Sequence, residues 1–314
     1  MKELIKEMQA VAQQLLASGE VKGVLGWTKG SRWYLTPPLF IQSVEEVEKL
    51  HYDEFAVNNL TSLLLDYRNS DEKIAIFVKG CDSRGILRLI QDKQVQKEKV
   101  HIIGLPCFGM VDKEAVQDHR NRHNLPLLNK CQECRYPNPV LADQALGAVT
   151  ITKEPARPTG LTAEVANQKG VGQKAEARYE QVQAIEAMSA DEKYDFWQKQ
   201  HEKCIRCYAC RNICPACNCR ECIFESDQKG WVNKAATKAD NAFFGITRAM
   251  HVAGRCVDCG ECERVCPAGI PIMAINRKIM QDIDELFGSY DAGTDLEEAG
   301  PLNHFKLDDP EEFM

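Results

Sequence analysis

The sequence predicts two domains of different class. Residues 1–150 read as an α/β domain and residues 190–290 as a smaller, cysteine-dense α+β domain. An extended linker over 151–189 joins them, and an acidic tail over 291–314 follows. Three observations carry this division. Two buried-strand patterns flank a short helix between residues 73 and 106, the spacing of a parallel strand–helix–strand unit. The apolar pattern fades between Thr152 and Met188, in a stretch rich in Pro, Gly, Lys, Gln and Ala. Beyond it, eight of the chain's 15 cysteines fall into two four-cysteine runs.

Lys2 to Ala17 places Leu4, Ile5, Met8, Val11, Ala12, Leu15 and Leu16 at helical spacing, with Gly19 as a C-cap. VKGVLGW then reads as a strand. VEEVEKL and the apolar run from Asn59 to Tyr67 read as helices. KIAIFVKG, Lys73 to Gly80, is a buried strand. Asp82 to Gln91 is a short helix that starts on an Asp or Ser cap. VHIIGLP, Val100 to Pro106, is a second buried strand. After the linker, Ala190 to Lys203 and Ile272 to Phe287 read as helices that flank the cysteine runs, and the residues after Gly288 form a tail with little to order it.

Composition narrows the function classes. The 314 residues are 44% hydrophobic and 27% charged, with a net charge of −7, which is ordinary for a globular protein. The acidic balance lacks the basic footprint of a nucleic-acid binder. The opening residues MKELIKEMQAVAQQLL are charged throughout, unlike a signal peptide, and no apolar run is long enough for a transmembrane helix. A cytoplasmic location is expected. Fifteen cysteines there point to metal or iron–sulfur ligation rather than disulfides.

Cys204, Cys207, Cys210 and Cys214 are spaced C-x2-C-x2-C-x3-C and followed by Pro215. Cys256, Cys259, Cys262 and Cys266 repeat that spacing before Pro267. This is the signature of a dicluster ferredoxin-like domain, in which the fourth cysteine of each run serves the other cluster. One 4Fe-4S cluster is therefore expected on Cys204, Cys207, Cys210 and Cys266, and a second on Cys256, Cys259, Cys262 and Cys214. A pair of zinc knuckles would instead use separated C-x2-C units. Cys217, Cys219 and Cys222 have no second copy. They read as ligands of an extra cluster, a zinc site, shielding thiols, or plain buried cysteines. Arg206, Arg211, Arg220, Arg255 and Arg264 lie within the motifs, as cations that raise a cluster's potential or as solvated surface charges or partner contacts. Tyr208, between two ligands, reads as a shield against water. The seven histidines have no metalloprotease spacing.

Four cysteines remain. Cys81 and Cys107 each follow a buried strand, so parallel pairing would put both at the carboxyl edge of the sheet, where α/β folds build their sites. Cys131 and Cys134 form a C-x2-C able to fold over that edge. Four converging thiols suit a third 4Fe-4S cluster or a zinc, and lone cysteines after strands are also common in cores. Asp82, Ser83 and Arg84 read as a helix cap.

The stretches IAIFVKGCDSRGILRLIQ and VHIIGLPCFGMVD, then KCQECRYPNPVLADQALG, resemble the beta-subunit family of deazaflavin-reducing hydrogenases and formate dehydrogenases. The family's elements fall at Gly80–Cys81, Gly104–Cys107, Cys131–Cys134 and Ala142–Gly147, within residues 70–150. The resemblance implies that Cys81, Cys107, Cys131 and Cys134 ligate a cluster, which in that family lies beside a flavin. The chain departs from the family's longer catalytic domain, and no G-x-G-x-x-G follows a strand. Residues 190–290 are similar to the dicluster ferredoxin modules of formate dehydrogenase and heterodisulfide-reductase-like complexes.

The expected function is an electron-transfer subunit with no catalytic residues of its own. Its partners would be other subunits of a formate dehydrogenase, a hydrogenase or a flavin-containing reductase. The competing expectations are a flavoenzyme acting on a deazaflavin or nicotinamide, and a zinc-bound scaffold. Donor, acceptor, direction of flow and cluster potentials are not written in the sequence.

Overall fold

The structure is a computed structural model and describes residues 1–116, 124–226, 232 and 234–303. It divides into two compact units. The first comprises Met1–Glu176 with Gly293–Leu296, and the second comprises Ala177–Ala292 with the described residues from Glu297 on.

In the first unit, helix α1 (Lys2–Ala17) buries Leu4, Met8, Ala12 and Leu15 along one stripe. Five strands form one sheet in the order β2-β1-β3-β4-β5. They are β1 (Gly23–Trp27), β2 (Pro38–Ile41), β3 (Ile74–Val78), β4 (Val100–Gly104) and β5 (Gln144–Ala145). β1, β3, β4 and β5 pair in parallel, and β2 adds an antiparallel edge on β1. Every residue of β3 is buried, as a central parallel strand covered on both faces requires. Helix α2 (Gly80–Gln91) makes the crossover from β3 to β4. The segments read as helices around Val44–Lys49 and Thr61–Tyr67 are tighter 3-10 turns. The Ala142–Gly147 motif holds β5 in place: the Asp143 carboxylate accepts from the Ile102 N–H at 2.8 Å and pairs with Lys97 at 2.6 Å.

Gly80 opens α2 because nothing larger fits. A Cβ there would lie 1.9 Å from the Tyr136 carbonyl oxygen and 2.7 Å from that of Asn138. Asp82, fully buried, accepts from the backbone N–H of Lys79 and of Leu60, both at 2.9 Å. The helix starts two residues earlier than the sequence indicated, with Lys79 as its N-cap, and Asp82 acts from the third position by accepting the Lys79 N–H. Its charge is met by Lys79 Nζ at 3.1 Å, and that ammonium also lies 3.9 Å from the Trp27 ring centroid.

The segment expected as an extended linker is partly folded. It carries a 3-10 turn (Gly160–Thr162) and helices α4 (Ala163–Lys169) and α5 (Glu180–Glu186), after the one-turn α3 (Asn129–Gln132). Ala166 and Val171 enter the first unit's core. Gly170 and Gly172, at φ +88° and +70°, turn the chain back so that the Gly172 N–H donates to Cys131 O at 3.0 Å. A few well-placed apolar side chains anchor a stretch whose average composition reads as unstructured.

The second unit was expected as α+β, but its described residues contain helices and turns and no strand. α6 (Ala190–Glu202) starts on a Ser189–Glu192 capping box, in which each residue's side chain accepts from the other's N–H. α7 (Ala209–Asn212), α8 (Lys238–His251), α9 (Glu261–Arg264) and α10 (Ile272–Phe287) follow. Within each run the chain is taken up by tight turns and a one-turn helix, and α8 occupies much of the described stretch between the runs. Of the expected tail, residues 293–296 pack with the first unit, where Asp295 pairs with Lys153 at 2.6 Å. The acidic end, 304–314, lies outside the described residues. Among the described residues no helix is long and apolar enough to cross a membrane.

Replacing Gly80 with Ala is expected to cost about 3 kcal/mol, because backbone rather than a flexible side chain must move. Thermal unfolding of the variant checks this, and an unchanged Tm would contradict it.

Candidate metal centres

The first centre is built at the carboxyl edge of the sheet. β3 and β4 are in register from Ile74 opposite Val100 to Val78 opposite Gly104, and the Leu105 N–H continues the ladder to Val78 O at 2.8 Å. Cys81, in the first turn of α2, and Cys107, just past β4, therefore emerge side by side. Cys131 sits in α3. Cys134 follows it, in the loop whose Tyr136 and Asn138 carbonyls press on Gly80.

The four sulfurs feel one another. Burial pushes the Cys134 thiol well up, and Cys131, Cys107 and Cys81 push it further. Burial and then Cys131 raise Cys107 to about 11, and burial and then Asp82 raise Cys81 to about 12. Lys79 and Lys130 oppose these shifts at Cys81. Backbone donors face the sulfurs as well: the Met110 N–H lies 3.3 Å from Cys131 Sγ, and those of Gly109 and Tyr136 serve Cys107 and Cys134. Four sulfurs with backbone N–H donors and nearby cations are a donor set of the kind that could hold a metal ion or a cluster.

The second unit holds two further concavities. One is lined by Cys204, Cys207, Cys210 and Cys266, with Trp197, Ile205, Tyr208 and Phe244 around them. The other is lined by Cys214, Cys256, Cys259 and Cys262, with Val257, Met273 and Asn276. The fourth cysteine of each run thus lies with the first three of the other. Interaction among the thiols follows the same grouping: after burial, Cys204 and Cys210 are raised by Cys266, and Cys259 by Cys214.

The two runs fold alike. Arg206 and Tyr208, either side of Cys207, have φ of 55° and 59°; Asp258 and Gly260, either side of Cys259, have φ of 52° and 67°. Left-handed residues at matching positions curl each loop inward ahead of the single-turn helices α7 and α9. Non-glycine residues held there store strain that the surroundings must offset. Around Arg206 they do: its guanidinium lies 4.9 Å from the Phe244 ring, 5.4 Å from Phe224 and 5.6 Å from Tyr208, and donates to Asp240 O at 2.7 Å. Tyr208 lines the first concavity and donates its hydroxyl to Phe224 O at 3.2 Å.

The other arginines read from the motifs are mostly engaged elsewhere. Arg211 pairs with Glu225 at 2.7 Å, Arg264 pairs with Glu261 at 2.7 Å, and Arg255 donates to His251 O at 3.1 Å. Arg220 is exposed. Sequence reasoning passed over two residues that do face the thiols. Arg248, 4% exposed, donates to Cys210 O at 3.1 Å, and its Nε has no hydrogen-bond partner among the described residues. Asn276, 3% exposed, points its amide nitrogen at Cys256 Sγ and Cys262 Sγ, 3.9 Å from each. The available signal was position: Asn241, Phe244 and Arg248 form the buried stripe of α8 at helical spacing. A buried guanidinium with an orphaned donor fits a site that receives an anionic cluster.

Cys217, Cys219 and Cys222 line neither concavity. Cys217 hydrogen-bonds Cys214, which holds the Cys214 thiol below its ordinary value, Cys222 bonds Arg211, and Cys219 is exposed. Among the described residues no three His, Cys, Asp or Glu side chains are grouped so as to hold a single metal ion.

Residues 200–270 match the family of the 4Fe-4S dicluster domain. The chain is thus an iron–sulfur protein of the electron-transfer class. Over nearly its whole length it is similar to the F420-dependent formate dehydrogenase subunit beta of Methanocaldococcus jannaschii, at 26% identity over 91% of this chain and 91% of that one. It is also similar to the F420-dependent formate dehydrogenase 1 subunit beta of Methanococcus maripaludis, at 28% identity over 93% and 91%. The resemblance read from residues 70–150 therefore extends across the chain. A solved chain of the F420-reducing NiFe hydrogenase complex from Methanosarcina barkeri covers 57% of this chain and 89% of its own, with 17% identity and a TM-score of 0.40.

Arg206→Ala is expected to destabilise the second unit by about 2–3 kcal/mol, through loss of three ring contacts and a buried donor. Chemical denaturation followed by tryptophan fluorescence reads this.

Proposed function

We propose that this chain is the electron-transfer subunit of a formate dehydrogenase- or hydrogenase-type complex, carrying three 4Fe-4S clusters. Cys204, Cys207, Cys210 and Cys266 would hold one. Cys256, Cys259, Cys262 and Cys214 would hold the second, and Cys81, Cys107, Cys131 and Cys134 the third. The observation that carries this reading is the exchange of fourth cysteines between the two concavities, Cys266 in one and Cys214 in the other. A pair of independent zinc knuckles has no need of that exchange.

When bound, such clusters accept and release one electron at a time, so the two-electron chemistry belongs to partner subunits. The chain's residues hold, orient and shield. At the left-handed turns the backbone N–H groups of Arg206 and Asp258 serve Cys204 and Cys256. Trp197, Tyr208 and Phe244 keep water from the first concavity. Gly80 lets the Cys134 loop close over the sheet edge. Fifteen reduced thiols fit work in a reducing cytoplasm.

Anaerobically purified protein should contain about 12 irons and as many sulfides per chain, with no flavin. About 8 irons would remove the third cluster from the reading, and one flavin per chain would replace the relay with a flavoenzyme. Serine variants test the crossing. Cys266→Ser should perturb the same electron paramagnetic resonance signal as Cys207→Ser, and Cys214→Ser the same one as Cys259→Ser. Perturbation of the Cys259→Ser signal by Cys266→Ser would overturn the exchange.

A further inference from the structure

The left-handed turn inside each cysteine run is held differently. In the first run Arg206 is met by the rings and the Asp240 carbonyl described above. In the second run the matching residue is Asp258, at φ 52° between Cys256 and Cys259. Its side chain is only 7% exposed, and its N–H serves Cys256. A carboxylate buried to that degree needs cations against it. A non-glycine residue at positive φ persists only where its surroundings over-determine it.

Two arginines meet both needs. Arg277, on α10, brings Nε to Asp258 Oδ1 at 2.8 Å. Arg178 brings Nη1 to Asp258 Oδ2 at 3.6 Å. Each carboxylate oxygen thus has its own guanidinium. The arginines are also tied to each other, since Arg277 Nη1 donates to Arg178 O at 2.9 Å. Arg178 is fixed in turn by Tyr179, whose hydroxyl accepts from Nη2 at 2.6 Å and whose ring centroid lies 4.4 Å from the guanidinium carbon. Arg178 and Arg277 are 9% and 7% exposed, so water offers little substitute for these contacts.

Arg178 lies ahead of residues 200–270 that match the dicluster family, in the stretch whose composition reads as linker. The 3-10 turn Glu176–Tyr179 carries it, and α5 follows, burying Val182 and Ile185. Contacts that orient ligands from outside the ligand set govern how well a metal site holds its metal. We propose that Arg178 is a positioning residue for the second cluster: through Asp258 it fixes the loop between Cys256 and Cys259, so that these two sulfurs meet Cys262 and Cys214 in one set. This rests on the cluster assignment proposed above. It makes residues 177–186 a working part of the cluster-bearing unit rather than a tether.

The test is electron paramagnetic resonance, with iron per chain, on the anaerobically purified and chemically reduced full chain. The variants are Arg178→Ala, Arg178→Lys, Asp258→Asn, and Arg178→Ala combined with Asp258→Asn. Cys207→Ser and Cys259→Ser assign each signal to its set. Asn tolerates positive φ as Asp does, so Asp258→Asn removes the charge without new backbone strain. Arg178→Ala and Asp258→Asn should each shift or diminish the signal of the Cys259 set and leave that of the Cys207 set unchanged. Arg178→Lys, which keeps the charge, should recover most of the signal. The double variant should be no worse than Asp258→Asn alone, because Arg178 acts through Asp258. An unchanged Cys259-set signal in Arg178→Ala overturns the proposal. Equal losses from both sets in Arg178→Ala and Asp258→Asn alike also overturn it, since the residues would then only hold the unit together. So does an Arg178→Lys sample indistinguishable from Arg178→Ala, or a double variant with added loss. If the unsubstituted chain has no signal that Cys259→Ser perturbs, the proposed function falls and this inference with it. If it has that signal and the variants leave it intact, this inference alone falls.

Discussion

Each cysteine run of the second unit keeps its fourth sulfur away from its own first three, and much of that unit's architecture answers to this separation. A run that closed on itself would be a local structure, able to form in isolation. Exchange makes each set non-local: Cys266 must lie with Cys204, Cys207 and Cys210, and Cys214 with Cys256, Cys259 and Cys262. The chain between the runs has to travel out and return, and α8 carries part of that path. Its inward stripe brings Asn241, Phe244 and Arg248 against the loops: Asn241 donates to the carbonyls of His201 and Cys204 at 3.0 and 2.8 Å. Helix α10 does the same from the other side, through Met273 and Asn276.

The first unit solves a similar problem by sheet topology instead of exchange. Parallel pairing of β3 and β4 puts the two strand ends at one edge, so Cys81 and Cys107 need no long-range search to meet. The C-x2-C that joins them is held by backbone contacts on both sides. The Tyr136 and Asn138 carbonyls seat against Gly80, and the Gly172 N–H ties back to Cys131 O. Buried charge nearby is balanced internally, with Lys79 and Asp82 bonded to each other and to the surrounding backbone. The pair adds no net charge at this edge, but both members still act on the nearest thiol: Asp82 raises Cys81, while Lys130 and Lys79 oppose it.

Much of this was legible in the sequence where the signal was periodic or spaced. α1 and α10 have the bounds their apolar stripes indicate, because a one-sided helix carries its own register. β3 and β4 stand where uninterrupted apolar runs placed them. The linker was misjudged because composition averages over a window, whereas Ala166 and Val171 act singly, each by reaching a core formed by distant residues. In the second unit the described residues show helices and turns where strands were also expected, because spacing names the cysteines but says nothing of the backbone between the runs.

By itself the sequence determined the two cysteine runs, the strand–helix–strand unit and the helix stripes, since these depend on neighbours a few residues apart. Tertiary structure alone decided that Gly80 faces two carbonyl oxygens, that β2 and β5 complete the sheet, that Arg248 is buried against the Cys210 carbonyl, and that Asn276 turns its amide toward thiols. An arginine on a helix is commonplace in sequence. Its meaning comes from burial beside sulfurs carried on another stretch of chain, and burial is a property of the folded whole.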